Sequence, residues 1–301
     1  MPLRSHTLQA IHMMLFVHKS VEPLITNVSS AAIACGMANT LGNKGGVGIS
    51  FKIANSRMLI LNSHLSAHQG KVAERNFQVW KILNELADLL NMEDNAGKNA
   101  DNGGNVGDVK SDDVKELVRK GSGSDDENSD NEQTENDISV KPSNFKGVDK
   151  IEKYYDCLIF MGDMNYRING NRNIIDKLLL ANMHEVLMSN DQLTVSFEQN
   201  KLPKFLIESP ISFRPTYKFN KKSDVYDTSA KKRIPSWTDR ILYKSDNLTC
   251  LTYNSVPDIR ISDHRPVYAT FLAKIFVQKE HVKKDDDKIA FSSESQVCTI
   301  M

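Results

Sequence analysis

Leu158, Ile159, Phe160 and Met161 form an apolar run that stops at Gly162, and Asp163, Asn165 and Arg167 follow within five positions. Such a run is long enough for a buried strand and too short for a helix. A strand that ends this way delivers a carboxylate, an amide and a guanidinium to the rim of a sheet, where rigid scaffolds hold reactive loops. The carboxylate can take a proton from water, the amide can hold that water in line, and the guanidinium can grip a phosphate through its fork of donors. A plain strand followed by a turn is the competing reading, because Gly, Asp and Asn are common turn residues.

Polar groups collect at other strand ends too. Residues 11–17 and 31–35 read as strands. Gly42, Gly45 and Gly46 around Asn43 and Lys44 make a loop whose backbone can approach an anion closely, although the GxxxxGK[ST] spacing of a Walker loop is missing. Residues 47–53 and 58–62 read as a hairpin turned at 54–56, and its second strand runs into His64. Apolar residues from Val72 to Leu90 recur at helical spacing and predict an amphipathic helix. Further helices are expected near 174–188 and 192–199. Residues 213–219 read as a strand opened by Pro215. Residues 226–243 pass from a basic turn into an apolar strand, with Trp237, Asp239 and Arg240 at the junction. Residues 248–253 form its hairpin partner, and Ser262-Asp263-His264 leads into a last strand. Strands alternating with helices imply a layered α/β domain.

Charge divides the chain. Overall it carries 38 basic and 38 acidic residues, but 92–150 holds 15 acidic against 8 basic, leaving 23 acidic and 30 basic elsewhere. The basic remainder favours an anionic partner. Residues 91–150 contain one aromatic, Phe145, and are otherwise rich in Asn, Gly, Asp and Ser. They read as a disordered acidic insertion, with a helical turn near 114–118, inside one domain spanning 1–275. No apolar run reaches the ~18 residues of a membrane-spanning helix. Cys35, Cys157, Cys250 and Cys298 show no disulfide or CxxC pattern, which points to a reducing, cytosolic setting.

The motifs GNKGGV (42–47), NSHL (62–65), GDMNYR (162–167), PTYKF (215–219), KKRIPSWTDRIL (231–242) and SDHRPV (262–267) occur together in this order. In this the chain resembles the inositol polyphosphate 5-phosphatases of the DNase I-like endonuclease/exonuclease/phosphatase superfamily. The resemblance covers about 8–90 and 151–275. It implies a four-layer α/β sandwich and magnesium-dependent removal of a 5-phosphate from phosphoinositides or soluble inositol phosphates. Asp163 then looks like the base for the attacking water, with Asn165 beside it. His264, held in its tautomer by Asp239, looks like the stabiliser of the phosphoryl oxygens, and His64 like a second donor. Asp263 looks like part of the metal shell. Tyr166, Arg167 and Lys218 match a grip on the neighbouring 4-phosphate. Asn43, Lys44, Lys231, Lys232, Arg233 and Arg240 match the rim of the pocket. No motif supplies a cysteine or serine nucleophile, so direct attack by water is implied.

The resemblance also implies an asparagine and a magnesium-binding glutamate upstream of the position matching Leu8. Glu22 is the only acidic residue before Lys44, in a setting that does not match. The sequence is therefore expected to be N-terminally incomplete, with Glu22 the one substitute at hand for the absent ligand. At the other end, Cys298-Thr299-Ile300-Met301 fits a farnesylation box on a flexible tail, 276–301. That implies a peripheral position on the cytosolic face of a membrane. Two alternatives stay open: an impaired phosphoinositide-binding protein lacking a metal ligand, and another phosphodiesterase or nuclease of the superfamily. The NYR and PTYKF motifs speak against nucleic acid as a partner.

Overall fold

A computed structural model describes residues 1–36, 43–90 and 142–277 and the backbone of 298–300. Strands β1 (Pro2–Leu8) and β2 (Ile11–Phe16) pair as a hairpin. Strands β3 (Ile25–Ala34), β4 (Gly45–Ile53), β5 (Ser56–His64), β6 (Cys157–Asp163), β7 (Leu206–Glu208) and β8 (Asp239–Lys244) make a six-stranded sheet in the order β3-β4-β5-β6-β8-β7. Strands β5 and β6 are parallel, and β8 runs antiparallel to β6. A last hairpin joins β9 (Leu248–Ser255) to β10 (Val267–Ala273), and the backbone of β11 (Cys298–Ile300) pairs with β10.

The two-residue period sorts the sheet's side chains into two cores. Leu61, Leu158, Phe160 and Leu242 face the helices α1 (Val72–Leu89) and α2 (Lys146–Tyr154), meeting Ile82, Leu86 and Ile151. Ile49, Ile60, Ile159 and Ile241 face the other way, toward Ile11 of β2, Tyr253 of β9 and Phe271 of β10. Helices α3 (Arg172–Leu180) and α4 (His184–Met188) add Leu179 and Leu187 to this second core, while α5 (Gln192–Glu198) sends Leu193 to the first. Helices, sheet and second β layer form the α/β sandwich that the alternation implied. Among the described residues no helix is long and apolar enough to cross a membrane.

Four expectations change. Strand β1 lay hidden in a mostly polar stretch. The helix expected over 174–188 is two helices, because Asn182 adopts a left-handed φ of 53° between them. Residues 213–219 form no strand. Two isolated bridges, Tyr217 with Ser236 and Phe219 with Tyr226, hold that segment as a loop, and the Phe219 and Tyr226 rings stack at 4.4 Å. The acidic segment is not uniform. Its part 91–141, with the turn expected at 114–118, lies outside the described residues, but 142–150 is built into the fold. There Phe145 packs 5.9 Å from the Phe77 ring and 5.7 Å from Trp80, and Val148 and Ile151 are buried. The segment's lone aromatic is its anchor.

Close approach of α2 to α1 depends on Gly147, where a Cβ would lie 2.4 Å from the Asn84 backbone oxygen. Gly147→Ala is expected to push the helices apart and cost about 1–3 kcal/mol. Denaturant unfolding would read that loss, and an unchanged midpoint would show that α2 docks loosely.

Candidate active site

Strand register puts His64, Asp163 and Asp239 in one row: His64 pairs with Asp163, and Asp163 with Asp239. By the two-residue period they share the face of Ile60, Ile159 and Ile241, at one end of the sheet. Gly162 makes this possible. At its φ of +131° a Cβ would lie 2.1 Å from the Ser63 carbonyl oxygen, so the close pairing admits glycine alone.

A second loop completes the site. The Arg265 amide donates to the Thr216 carbonyl at 2.9 Å and the Phe219 amide to the Asp263 carbonyl at 2.8 Å. The loop so held brings His264 Nδ1 to 2.9 Å from Asp239 Oδ2, which also accepts from Thr216 Oγ1 at 3.1 Å and Thr238 Oγ1 at 3.0 Å. With Nδ1 engaged, Nε2 is the nitrogen left for a ligand. Burial by itself would lower the His264 pKa. The hydrogen bond and charge of Asp239, joined by Asp163 and Asp263, outweigh it and hold the imidazole above its ordinary value.

Asp163 accepts the Asn165 amide at Oδ1 (3.1 Å), and its Oδ2 lies 3.3 Å from His64 Nε2. Burial, then repulsion from Asp239, raise its carboxyl to about 6, against the pull of His264, Arg167 and Lys44. Burial and the neighbouring Lys44 push His64 the other way, down to about 4. The ring is therefore neutral and Nε2 accepts from Lys44 Nζ. Its approach to Asp163 is proximity rather than a hydrogen bond. Burial also lowers the pKa of Lys44.

Asn165 is buried with a left-handed φ of 56°, and its Nδ2 donates to the Leu65 carbonyl at 3.0 Å. Its carbonyl groups accept from Arg167, whose guanidinium lies 4.5 Å over the Tyr217 ring. Tyr217 in turn tilts against His264 at 4.6 Å. Asn165 thus positions Arg167 and the Asp163 turn. Lys218 Nζ stands 3.8 Å from Asp263 Oδ2.

Two expected site residues, and the expected substitute Glu22, lie elsewhere. Tyr166 is fully buried on the helix side, with its hydroxyl donating to Asn76 Oδ1 at 2.7 Å, so it cannot grip a substrate. Arg240 is fully buried too, spent on Glu208 and Asp191, and is corrected from pocket rim to structural staple. Glu22 is exposed beside the Ile25–Ile53 end of the β3–β4 ladder, opposite the Gly45–His64 end, and cannot stand in as a metal ligand here. Asn43 is exposed in its turn, as are Lys231 and Lys232. Arg233 is half-buried, its amide donating to Asp227 at 2.8 Å. The side chain of Cys298 is outside the described residues.

Other residues come in unannounced. Thr216 and Thr238 orient Asp239, and Tyr217 walls the site. His68 lies among cations: burial first, then Arg233, Arg167, Lys71 and Lys44, lower its pKa.

Asp263 is the acidic side chain here that no imidazole engages. A hard divalent cation takes one or two protein carboxylates and completes its shell with waters and phosphate oxygens. Asp263 fits as one such ligand. Among the described residues no group of three or more His, Cys, Asp or Glu could hold an ion unaided.

The chain is similar to known proteins. The chain is 26% identical over 278 residues to the phosphatidylinositol polyphosphate 5-phosphatase type IV of Pan troglodytes, covering 90% of this chain and 36% of that protein. It is 30% identical over 276 residues to the polyphosphatidylinositol phosphatase INP53 of Saccharomyces cerevisiae, covering 91% of this chain and 20% of that one. The chain thus spans little more than a third of the one relative and a fifth of the other. Among solved structures, the inositol polyphosphate 5-phosphatase domain of SPsynaptojanin, in complex with inositol (1,4)-bisphosphate and calcium ion, superposes with a TM-score of 0.65. It is 30% identical, with 90% of this chain and 62% of that chain covered. Residues 1–270 match the endonuclease/exonuclease/phosphatase family 2, and the chain belongs to that family.

Proposed function

We propose that this chain hydrolyses the 5-phosphate of inositol phosphates or phosphoinositides by direct attack of water. The observation that carries the reading is the row His64–Asp163–Asp239 with His264 docked on it, ringed by Lys44, Arg167 and Lys218. In this mechanism Asp163, ionised at neutral pH but more basic than an ordinary carboxylate, takes the proton of the attacking water. His264, as the imidazolium that the Asp239 carboxylate favours, donates from Nε2 to a phosphoryl oxygen while Asp239 holds Nδ1–H and fixes the ring's orientation. Lys44 places positive charge beside the neutral His64, which meets the charge that gathers on the phosphoryl group. Arg167, braced by Asn165 and Tyr217, and Lys218 hold the neighbouring 4-phosphate. Magnesium, held by Asp263 with waters and substrate oxygens, would neutralise further phosphoryl charge. A farnesyl on Cys298 would keep the chain on the cytosolic face of a membrane.

The sparse donor set favours a second reading, a protein that binds the headgroup without turning it over. Phosphate release from inositol 1,4,5-trisphosphate separates the two. Binding without release at any magnesium concentration overturns the hydrolase. The 4-phosphate role has its own test. Lys218→Ala is expected to lose about 1.5–3 kcal/mol of transition-state binding on substrates carrying a 4-phosphate, and much less on those without it. Equal losses on both would remove that role.

A further inference from the structure

The loop that carries Asp263 and His264 opens with side chains that the fold leaves in water. Ile261 is 84% exposed and Ile259 41% exposed, and on the loop beside them Val225 is 55% exposed. The two loops are tied together. The Lys222 amide donates to the Arg260 carbonyl at 2.9 Å, the Arg260 guanidinium pairs with Asp224 at 2.8 Å, and Arg265 donates to the Ser223 carbonyl. Single exposed apolar residues are ordinary on a soluble surface. Here three sit on one laced unit amid positive charge: residues 218–233 hold six Lys and Arg against two Asp, and Lys221 and Lys222 are exposed. The same unit reaches the site, since the Phe219 amide bonds the Asp263 carbonyl.

We infer that these two loops are a docking surface for an anionic lipid bilayer. Ile259, Ile261 and Val225 enter the interfacial region, and Lys221 and Lys222 meet headgroup phosphates. Apolar tips beside the exposed Lys221 and Lys222, on loops where Arg260 pairs with Asp224 and Asp258, match a bilayer with negative headgroups over an apolar interior. The preference for a bilayer over an acidic protein rests on the proposed function. A bilayer seated here presents phosphoinositide headgroups to His264, whereas a folded protein would cap the mouth.

The test uses the full chain made in bacteria, without a prenyl group, and phosphatidylcholine vesicles containing phosphatidylserine but no phosphoinositide. Cosedimentation should show binding that weakens with salt. The double variant Ile259→Ser/Ile261→Ser should bind about tenfold more weakly or worse, because two apolar side chains no longer leave water. Its melting temperature and its hydrolysis of soluble inositol 1,4,5-trisphosphate should match the parent's. Lys221→Glu/Lys222→Glu should also weaken binding and flatten its salt dependence. A parent chain that ignores these vesicles, or an isoleucine variant that binds as tightly as the parent, overturns the inference. Vesicle binding by a chain that hydrolyses nothing sustains this surface while defeating the hydrolase reading, because the vesicles carry no substrate.

Discussion

Replacing Asp163 with asparagine is expected to lower turnover about 10²–10⁴-fold, the range a positioned general base supplies. The amide nearly matches the carboxylate in shape and can still accept the Asn165 backbone N–H at Oδ1. What it loses is the ability to take a proton. In the native chain burial, then Asp239, set the Asp163 carboxyl at about 6. The base works only when ionised, so activity should climb with pH to about 6 and level off above it. Below that point it should fall about tenfold per pH unit. The residual activity of Asp163→Asn should lack this limb.

Stability moves the other way. A folded-state pKa raised above the unfolded value contributes stability at low pH that is lost as pH rises through about 6. At pH 7 the native protein holds an ionised carboxylate against burial and the Asp239 charge. The neutral amide relieves that cost, so Asp163→Asn should melt at or above the native temperature. A variant that keeps a tenth or more of native turnover, or melts well below it, would show that Asp163 is a structural carboxylate.

Much of this site was legible because its members close strands or sit in short polar motifs. Asp163, His64, Asp239, His264 and Lys218 converge as their positions implied. Where the reading failed, parity and backbone handedness explain it. In an antiparallel strand neighbours point to opposite faces, so Asp239, in step with Ile241 and Tyr243, faces the site while Arg240, in step with Leu242, faces the helices. Tyr166 was beyond reach, because the left-handed turn at Asn165 resets the phase after the strand. Thr216 and Thr238 sit inside the PTYKF and KKRIPSWTDRIL motifs, but a threonine names no partner in sequence, and Thr216 becomes an Asp239 donor only when its loop, 23 residues before Asp239, folds against that strand. The docking of 142–150 turned on one aromatic in an otherwise polar stretch, and average composition hides a single anchor.

Arg240→Ala should be the most destabilising single change at the sheet's edge, at about 3–5 kcal/mol. Its guanidinium is fully buried and donates to Glu208 Oε1 at 2.8 Å, to Asp191 Oδ1 at 2.8 Å and to the Trp237 carbonyl at 3.2 Å. Burial alone would lower its pKa, but Asp191 and Glu208 overcome it and raise the value well above normal. These contacts join three segments: Asp191 caps α5 through the Leu193 and Thr194 amides, and Glu208 ends β7 and also accepts the Tyr253 hydroxyl at 3.0 Å. Removing the cation strands the buried Asp191 and the half-buried Glu208, and Asp191 already has an oxygen without a partner. Lysine should not rescue, because a single ammonium cannot reproduce the fork that spans both acids. Denaturant unfolding of Arg240→Ala and Arg240→Lys reads the loss, and kinetics below the melting range should give a KM close to the native one per folded molecule. Native stability with a raised KM for 4-phosphorylated substrates would return Arg240 to the pocket.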